Sequence, residues 1–228
     1  MNIAIILAGG TGTRLGADRP KQYIEVNGKP IISYCAEALS AHEMVDVIWI
    51  VADEMWHDYV SAHIPTGKVK GFSLPGANRQ LSIWNALCDI RPFAKPDSLI
   101  FVHDAARPVL TPEMITGYFE TAKKHDGVLP VLPMKDTVYL CEDGQHITSL
   151  LERSHVVAGQ APEVFVYEKY YRANERLLPD KILKINGSTE PAIQAGMEIA
   201  TVPGDERNFK ITTQADLERF KNLCNRKC

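Results

Sequence analysis

The sequence predicts an α/β fold with a mostly parallel β-sheet covered by helices on both faces. Short apolar runs rich in β-branched residues alternate with longer segments of helical periodicity along most of the chain. The runs are apolar throughout, as is typical of strands buried on both faces. Hydrophobic residues make up 45% and charged residues 23% of the 228 residues, which is the balance of an ordinary soluble globular protein.

The predicted elements follow this alternation in order. The strands cover residues 3–7, 47–51, 69–74, 98–103, 127–133 and 198–202. The helices cover residues 31–41, 55–62, 79–90, 112–125, 168–178 and 213–224. Thr212, Thr213 and Asp216 provide capping groups at the start of the last helix. Strands that alternate with helices in this way indicate parallel pairing.

The alternation breaks at residues 136–165. Two short extended pieces, 137–141 and 147–151, flank a turn with the sequence Glu142-Asp143-Gly144-Gln145. They predict a β-hairpin arm, and an arm with few apolar residues of its own is often held by a partner subunit. Because no linker or repeat interrupts the chain, we expect one domain over residues 1–228, with 136–165 as an inserted dimerisation arm.

Charge and composition argue against several classes of protein. The net charge is −3, so the basic surface of a protein that binds nucleic acid is absent. The N-terminal apolar run meets glycines after only a few residues, and no segment approaches the roughly 20 apolar residues of a membrane span. Five scattered cysteines without a CxxC pair predict reduced thiols and a cytoplasmic location.

The strongest candidate site is the glycine-rich segment after the first strand. It reads Leu7-Ala8-Gly9-Gly10-Thr11-Gly12-Thr13-Arg14-Leu15-Gly16 and is followed by Pro20-Lys21-Gln22. Glycines at a strand end let backbone N–H groups approach phosphates closely. Arg14 and Lys21 supply cations that would stabilise a departing pyrophosphate.

Neither of the two familiar glycine-rich phosphate motifs matches this segment. Its spacing differs both from a Walker A loop and from a GxGxxG dinucleotide fingerprint. A plain strand-to-helix turn would account for one or two of the glycines. It would not account for four glycines together with Arg14 and Pro20-Lys21.

The second candidate is Asp104, at the end of the central strand. It lies in the sequence Phe101-Val102-His103-Asp104-Ala105-Ala106-Arg107-Pro108. The carboxyl end of such a strand faces the crevice where α/β sheets bind ligands, and a hard oxygen ligand there suits Mg²⁺. Arg107 either braces Asp104 or touches the nucleotide, and the alternative is a capped strand end with a surface ion pair. His103 fits a packed core residue better than a catalytic base.

Two further segments carry candidate residues. In residues 76–82, Gly76 and Ala77 lie near Ser82 in the sequence and are small enough to let the backbone reach the edge of a base. Taken by itself, the segment is typical of a helix cap. Residues 204–211 place Lys210 beside acidic residues in a late loop, where a solvated charge run is the usual alternative. No nucleophile with a catalytic base accompanies them, so direct in-line attack by a substrate phosphate is favoured over a covalent enzyme intermediate.

Taken in order, the motifs resemble those of the 2-C-methyl-D-erythritol 4-phosphate cytidylyltransferase and ribitol-5-phosphate cytidylyltransferase family. The resemblance covers nearly the whole chain. The motifs are Gly9-Gly10-Thr11-Gly12-Thr13-Arg14, Pro20-Lys21-Gln22, residues 76–82 with Asn85-Ala86-Leu87, His103-Asp104-Ala105-Ala106-Arg107-Pro108, Lys135-Asp136-Thr137, Arg153-Ser154, Gly159-Gln160-Ala161-Pro162 and Asn208-Phe209-Lys210-Ile211-Thr212.

The resemblance implies a Rossmann-like, glycosyltransferase-A-like three-layer nucleotidyltransferase fold with a protruding β-hairpin arm. It also implies CTP and a polyol phosphate as substrates, Mg²⁺ as cofactor and a homodimer. The implied catalytic residues are Arg14, Lys21 and Lys210. The implied nucleotide-binding residues are Ala8, Gly9, Gly10, Gly12, Gly76, Ala77, Ser82, Asp104 and Arg107. Asp104 would also hold the metal, and Thr137 and Arg153 would reach the acceptor in the neighbouring subunit.

The chain departs from the family pattern on the acceptor side. The family usually carries Thr-Gln-Pro-Gln after the arm, whereas this chain has Gly159-Gln160-Ala161-Pro162-Glu163 and so loses a hydroxyl and gains a charge. In place of a Thr-Asp pair the chain has Asn186-Gly187, followed by Ser188-Thr189-Glu190-Pro191.

These motifs rank the acceptors without deciding between them. Lys135-Asp136-Thr137 and residues 104–108 look more like the methylerythritol enzymes, and residues 10–14 and Gly159-Gln160 look more like the ribitol enzymes. We expect 2-C-methyl-D-erythritol 4-phosphate first, with D-ribitol 5-phosphate or another polyol phosphate as the alternative. A non-catalytic nucleotide-binding regulator and a sugar-1-phosphate nucleotidyltransferase are more distant alternatives, and a mere sensor would not need cations that stabilise departing pyrophosphate.

Overall fold

The computed structural model describes residues 1–10, 19–64 and 66–225. In chain order the strands are β1 (Asn2–Leu7), β2 (Glu25–Val26), β3 (Lys29–Pro30), β4 (Val47–Val51), β5 (Val69–Ser73), β6 (Leu99–Asp104), β7 (Gly127–Pro133), β8 (Tyr139–Leu140), β9 (Ser149–Leu150), β10 (Val157–Gly159), β11 (Glu163–Val166) and β12 (Ile199–Pro203). The α-helices are α1 (Ile31–Ala41), α2 (His57–His63), α3 (Arg79–Asp89), α4 (Pro112–Ala122), α5 (Tyr167–Glu175), α6 (Glu190–Gln194) and α7 (Gln214–Asn225).

Within the described ranges, eight of these strands form one mixed sheet. Strands β5, β4, β1 and β6 are parallel neighbours in that order, as the alternating sequence predicts. Strand β11 lies antiparallel between β6 and β7, while β10 extends along the same edge of β7. Strand β12 pairs in parallel with the other edge of β7. The block of four parallel strands therefore ends at β6, and the carboxyl edge of this block carries the loops described below.

The two faces of the sheet are packed against different sets of helices. Alternate residues of β1 point to opposite faces, so Ala4 and Ile6 pack with α1, α2 and α4 while Ile3 and Ile5 pack with α3, α5 and α6. This gives three layers with the sheet in the middle. The three-layer α/β arrangement predicted from the sequence is confirmed.

The last helix closes a third, smaller cluster. Leu217 and Phe220 of α7 pack against Val26, Ile31 and Ile211 beside the start of α1. The predicted capping residues are confirmed: Asp216 Oδ2 accepts a hydrogen bond from the backbone N–H of Thr213 (2.8 Å), and Asp216 N–H donates to Thr213 Oγ1 (3.2 Å).

The predicted arm is present, but it ends earlier than the sequence suggests. Strands β8 and β9 pair antiparallel around a turn in which Gly144 adopts a positive φ of 73°. Residues 157–165, assigned to the arm from the sequence, contribute β10 and β11 to the central sheet instead. These strands are short and interrupted by Pro162, so they lack the long apolar run by which the other strands are identified.

Other differences concern short elements and the ends of helices. Strands β2 and β3 and helix α6 are not predicted, helix α4 ends at Ala122 rather than residue 125, and helix α5 ends at Glu175 rather than residue 178. None of the helices in the described ranges is long and apolar enough to cross a membrane.

Candidate active site

A cleft of about 450 Å³ opens at the carboxyl edge of the parallel strands. Its described walls come from the segments that follow β1, β4, β5 and β6 and from the loop after β12. The lining residues are Leu7, Gly9, Gly10, Lys21, Gln22, Val51, Gly76, Ala77, Asn78, Arg79, Ser82, Asp104, Ala106 and Lys210. Most of the predicted site residues that the structure describes are therefore brought into one cavity.

The glycine-rich segment enters the cleft directly from β1. A Cβ atom on Gly9 would collide with the Pro75 ring, whereas Gly10 is open to the cleft. Gln22 fixes this segment from below, because its side-chain amide donates to the carbonyl oxygens of Ala8 and Gly10. Gln22 belongs to the predicted motif, but this contact was not predicted. Gly12 and Arg14 lie outside the described residues.

A second wall of the cleft is formed by small residues at the start of α3. The backbone N–H of Gly76 donates to Ser82 Oγ (2.9 Å), and that hydroxyl donates to the carbonyl oxygen of Asn78 (2.9 Å). A Cβ atom on Gly76 would lie 2.6 Å from Leu81 side-chain atoms. Residue 76 must therefore lack a side chain for this segment to pack closely against the start of α3.

Asp104 lies at the centre of a buried charge cluster. Its Oδ1 lies 3.1 Å from Arg79 Nε. Its Oδ2 lies 3.1 Å from Lys210 Nζ and 3.4 Å from Arg107 Nε. Burial alone would raise the pKa of this carboxyl, but the three neighbouring cations outweigh burial and hold the pKa well below its usual range. Asp104 is therefore ionised where it lines the cleft.

Two predicted nucleotide-binding residues lie behind the cleft wall. Arg107 contacts Asp104, and its Nη1 donates to the carbonyl oxygen of Asn208 (2.7 Å), so it braces Asp104 rather than lining the cavity. Ala8 is buried, and its carbonyl oxygen accepts from Gln22 and from the Tyr23 hydroxyl. Both residues support the site through their neighbours.

Lys210 reaches the cleft from a loop that is tied to the sheet at several points. The side-chain amide of Gln160 exchanges two hydrogen bonds with the backbone of Asp205 (3.1 and 3.2 Å). Asn208 Nδ2 donates to the carbonyl oxygen of Ala161 (2.8 Å). The backbone N–H of Ile211 donates to the carbonyl oxygen of Ala106 (2.8 Å). Lys210 is thus held near Asp104 by a fixed backbone rather than by a free loop.

Arg79 and Glu163 belong to the site, although neither was predicted as a site residue. Arg79 opens α3 and contacts Asp104, and its Nη2 lies 3.5 Å from Glu163 Oε2 on β11. Burial raises the pKa of the Glu163 carboxyl, although Arg79 and the Ser188 hydroxyl partly offset this. The available signals are the position of Arg79 within the motif at residues 76–82 and the charge that Glu163 adds to the segment 159–163.

The predicted acceptor-binding residues do not line the cleft of this chain. Thr137 and Arg153 are both exposed, at the base of the arm. Arg153 Nη1 donates to the carbonyl oxygen of Lys135 (2.7 Å). Their expected contact with an acceptor in the neighbouring subunit stays a prediction.

A glycine-containing segment, a wall of small residues and a carboxylate among cations lie together at the carboxyl edge of one α/β sheet, an arrangement that suits a nucleotidyltransferase. Solved structures support this class. The chain resembles 4-diphosphocytidyl-2C-methyl-D-erythritol synthase from Anaerococcus prevotii, with a TM-score of 0.83, 25% identity and coverage of 99% and 96% of the two chains.

The sequence profile of 2-C-methyl-D-erythritol 4-phosphate cytidylyltransferase matches residues 2–225, and the chain belongs to this family. It is similar to a ribitol-5-phosphate cytidylyltransferase of Vibrio parahaemolyticus, with 30% identity over 98% of this chain and 95% of the relative. It is also similar to a 2-C-methyl-D-erythritol 4-phosphate cytidylyltransferase of Thermotoga neapolitana, with 34% identity over 96% and 94%. The chain is therefore a cytidylyltransferase, an enzyme that transfers a CMP group from CTP.

Proposed function

We propose that this enzyme transfers CMP from CTP to 2-C-methyl-D-erythritol 4-phosphate and releases pyrophosphate. The observation that carries the proposal is the convergence of Lys21, Asp104 and Lys210 on one cleft with the small-residue wall at Gly76. Family membership supports the nucleotide, and the motif at residues 135–137 supports the acceptor.

The reaction assigned to this cleft is an in-line displacement at the α-phosphorus of CTP. An oxygen of the acceptor phosphate forms the new bond, and the bond to the β-phosphate oxygen breaks. Lys21, together with Arg14, would hold the departing pyrophosphate, which gains charge as the bond breaks. Lys210, 3.1 Å from Asp104, would turn to neutralise the reacting phosphates. The wall formed by Gly76, Ala77 and Ser82 would hold the cytosine.

The donor atoms of the cleft fit a magnesium ion that is held mainly by substrate. Asp104 offers an ionised carboxylate, and no group of three metal-ligating side chains occurs in the parts of the chain that the structure describes. One carboxylate together with substrate phosphates is a common way to bind Mg²⁺. When bound, the ion would offset phosphate charge, and Asp104 would be its protein ligand.

The acceptor site is proposed to need a second copy of the chain. The arm exposes the large apolar side chains of Tyr139, Ile147 and Leu150, which suits a protein interface better than water. Thr137 and Arg153 lie at the base of this arm, where they would face the cleft of the neighbouring subunit in a homodimer.

D-Ribitol 5-phosphate is the second candidate acceptor. Relatives named ribitol-5-phosphate cytidylyltransferase match the chain over 98% of its length at 29–32% identity, a range that overlaps that of the methylerythritol enzymes. The segments 159–163 and 186–191, which depart from the family pattern, lie on the acceptor side and keep this candidate open.

A cytoplasmic location is also proposed. Its support is the presence of free cysteines in the described ranges, among them Cys35, Cys88 and Cys141. Unpaired thiols persist most readily in reducing compartments.

The test is pyrophosphate release from CTP and Mg²⁺ with the two acceptors in parallel, and with UTP and ATP as nucleotide controls. We expect release with CTP and 2-C-methyl-D-erythritol 4-phosphate. Release with D-ribitol 5-phosphate alone would show that D-ribitol 5-phosphate is the acceptor and that the first assignment is wrong. If neither acceptor supports release while CTP still binds, both acceptor assignments are wrong.

A further inference from the structure

Arg79 bridges two buried carboxylates that come from neighbouring strands. Its Nε donates to Asp104 Oδ1 at the end of β6 (3.1 Å), and its Nη2 lies 3.5 Å from Glu163 Oε2 at the start of β11. Asp104 and Glu163 are 6% and 7% exposed, whereas the Arg79 side chain is 31% exposed and lines the cleft. The guanidinium thus joins the cleft wall to a carboxylate buried behind it.

Glu163 is itself held by a chain of hydrogen bonds that runs into the core. The Ser188 hydroxyl donates to Glu163 Oε1. The Tyr170 hydroxyl donates to the carbonyl oxygen of Ser188 (2.7 Å), and Gln80 Nε2 donates to the Tyr170 oxygen (3.0 Å). Glu163 and Ser188 belong to the two segments that depart from the family pattern, and the structure places them in contact. The two departures are therefore parts of one arrangement.

We propose that Glu163 is a positioning residue, which acts through Arg79 to orient the Asp104 carboxylate in the cleft. With Oδ1 engaged by Arg79, Oδ2 is left facing Lys210 and Arg107. This inference rests on the proposed function of Asp104 and Lys210 in the transfer of CMP. It adds Glu163 and Arg79 to the residues that the reaction depends on.

The chemistry of the pair explains why both members matter. A planar guanidinium has donors on two edges and can contact two carboxylates at once, whereas a lysine ammonium lacks this fixed geometry. Without the charge of Glu163, Arg79 keeps a single anionic partner and its orientation is no longer fixed at both ends. Displacements of about 1 Å in such a site can slow a reaction by roughly a hundredfold.

The test is a double-mutant cycle with Glu163→Gln and Arg79→Lys, using pyrophosphate release. We expect Glu163→Gln to lower kcat by roughly tenfold or more, while the KM for CTP stays within about threefold, because a group is mispositioned rather than nucleotide binding lost. The double variant is expected to be no slower than Arg79→Lys alone. Independent losses that multiply in the double variant would overturn the proposal.

A second readout does not depend on turnover. The NMR signal of the Arg79 Nε–H group, assigned from its loss in Arg79→Lys, should shift and exchange faster with water in Glu163→Gln. An unchanged signal would overturn the proposal even if activity fell. If the wild type releases no pyrophosphate with either acceptor, the proposed function fails, while this signal still tests the contact between Glu163 and Arg79.

Two further variants complete the design. Ser188→Ala removes the hydroxyl that holds Glu163 and should lower kcat in the same direction by a smaller factor, which keeps the proposal testable if Glu163→Gln folds poorly. Glu168→Gln is the matched control, because Glu168 pairs with Arg172 on the exposed face of α5 (2.9 Å) and away from the cleft. It should leave kcat and KM unchanged.

Discussion

At the scale of single residues, the cleft combines a carboxylate held by ion pairs with a wall segment that lacks a side chain at residue 76. Asp104 is enclosed by Arg79, Arg107 and Lys210, which lowers the free energy of a carboxylate that burial alone would penalise. Gly76 allows the facing wall to pack closely against Leu81. Single substitutions can therefore separate charge effects on turnover from shape effects on nucleotide binding.

Lys21→Ala tests the proposed stabilisation of departing pyrophosphate. Lys21 lines the cleft in the short helical turn Lys21–Tyr23. Its loss should lower kcat by on the order of a hundredfold, as removal of one transition-state electrostatic group commonly does. Steady-state kinetics measures this. Lys29→Ala is the control, because Lys29 is exposed and pairs with Glu37 (2.8 Å), and near-normal turnover in Lys21→Ala would reject the role.

Gly76→Ala tests the shape of the small-residue wall. The added Cβ would lie 2.6 Å from Leu81, so the wall must move and CTP binding should weaken by tenfold or more, corresponding to about 1.4 kcal/mol. Titration calorimetry with CTP measures the loss. Gly117→Ala on α4 meets no atom within 4 Å and should leave CTP binding unchanged. Equal affinity of the two variants would show that the wall does not hold the nucleotide.

The site could be predicted from sequence only as far as its motifs were local. Gly9, Gly10, Lys21 and Asp104 each follow or end a recognisable strand, so their meeting at one sheet edge follows from parallel pairing. The Arg79 bridge depends instead on a strand that was not predicted. Without β11 beside β6, no pattern brings Glu163 near residue 79.

At the scale of elements, α7 shows how a local sequence signal sets a boundary. Thr213 and Asp216 exchange hydrogen bonds at the first turn. Burial raises the pKa of the Asp216 carboxyl, but hydrogen bonds from Thr212 and Thr213 outweigh burial and lower it to about 2. The ionised carboxylate therefore stabilises the start of the helix that closes the third cluster.

Asp216→Ala should lower the free energy of unfolding by about 1 kcal/mol at neutral pH, the usual cost of losing a capping group. Because the folded pKa is depressed, this stabilisation is present above roughly pH 4 and is lost as the pH falls toward 2, so the difference from wild type should narrow there. Urea unfolding at several pH values measures it. Glu218→Ala, on the exposed face of α7, should cost less than about 0.5 kcal/mol.

Elements with strong periodicity were predicted well, and short ones were not. Strand β4 and helix α1 have the predicted bounds, since β4 is a run of five apolar residues and α1 carries a regular apolar face. Strand β11 has four residues, begins with a charged side chain and pairs antiparallel with its neighbours. Its place in the sheet is decided by tertiary pairing, which the local sequence does not encode.

At the scale of the whole molecule, the proposed shared site makes a prediction about mixed dimers. Lys21→Ala and Arg153→Ala would each inactivate a homodimer through different parts of the site. In a mixed dimer, one site combines an intact cleft with an intact arm. Random mixing should therefore restore about a quarter of wild-type activity, since about half the dimers are mixed and one of their two sites is intact.

The control for this experiment is a variant that weakens the proposed contact between the arm and the neighbouring subunit. Leu150→Asp places a charge on an exposed apolar position of β9 and should reduce dimer formation, measured by analytical ultracentrifugation, and complementation together. Folded mixed dimers that remain inactive would show that Arg153 does not serve the neighbouring cleft.

The buried charge cluster also has a consequence for how quickly the nucleotide arrives. The chain as a whole carries a net charge of −3, yet the described residues in and behind the cleft include four cations and two carboxylates, namely Lys21, Arg79, Arg107 and Lys210 against Asp104 and Glu163. CTP, which is a polyanion, is thus repelled by the surface away from the cleft and attracted only close to the opening of the cleft. Salt shortens the reach of that attraction to about 8 Å at physiological strength, so capture of CTP should slow as ionic strength rises.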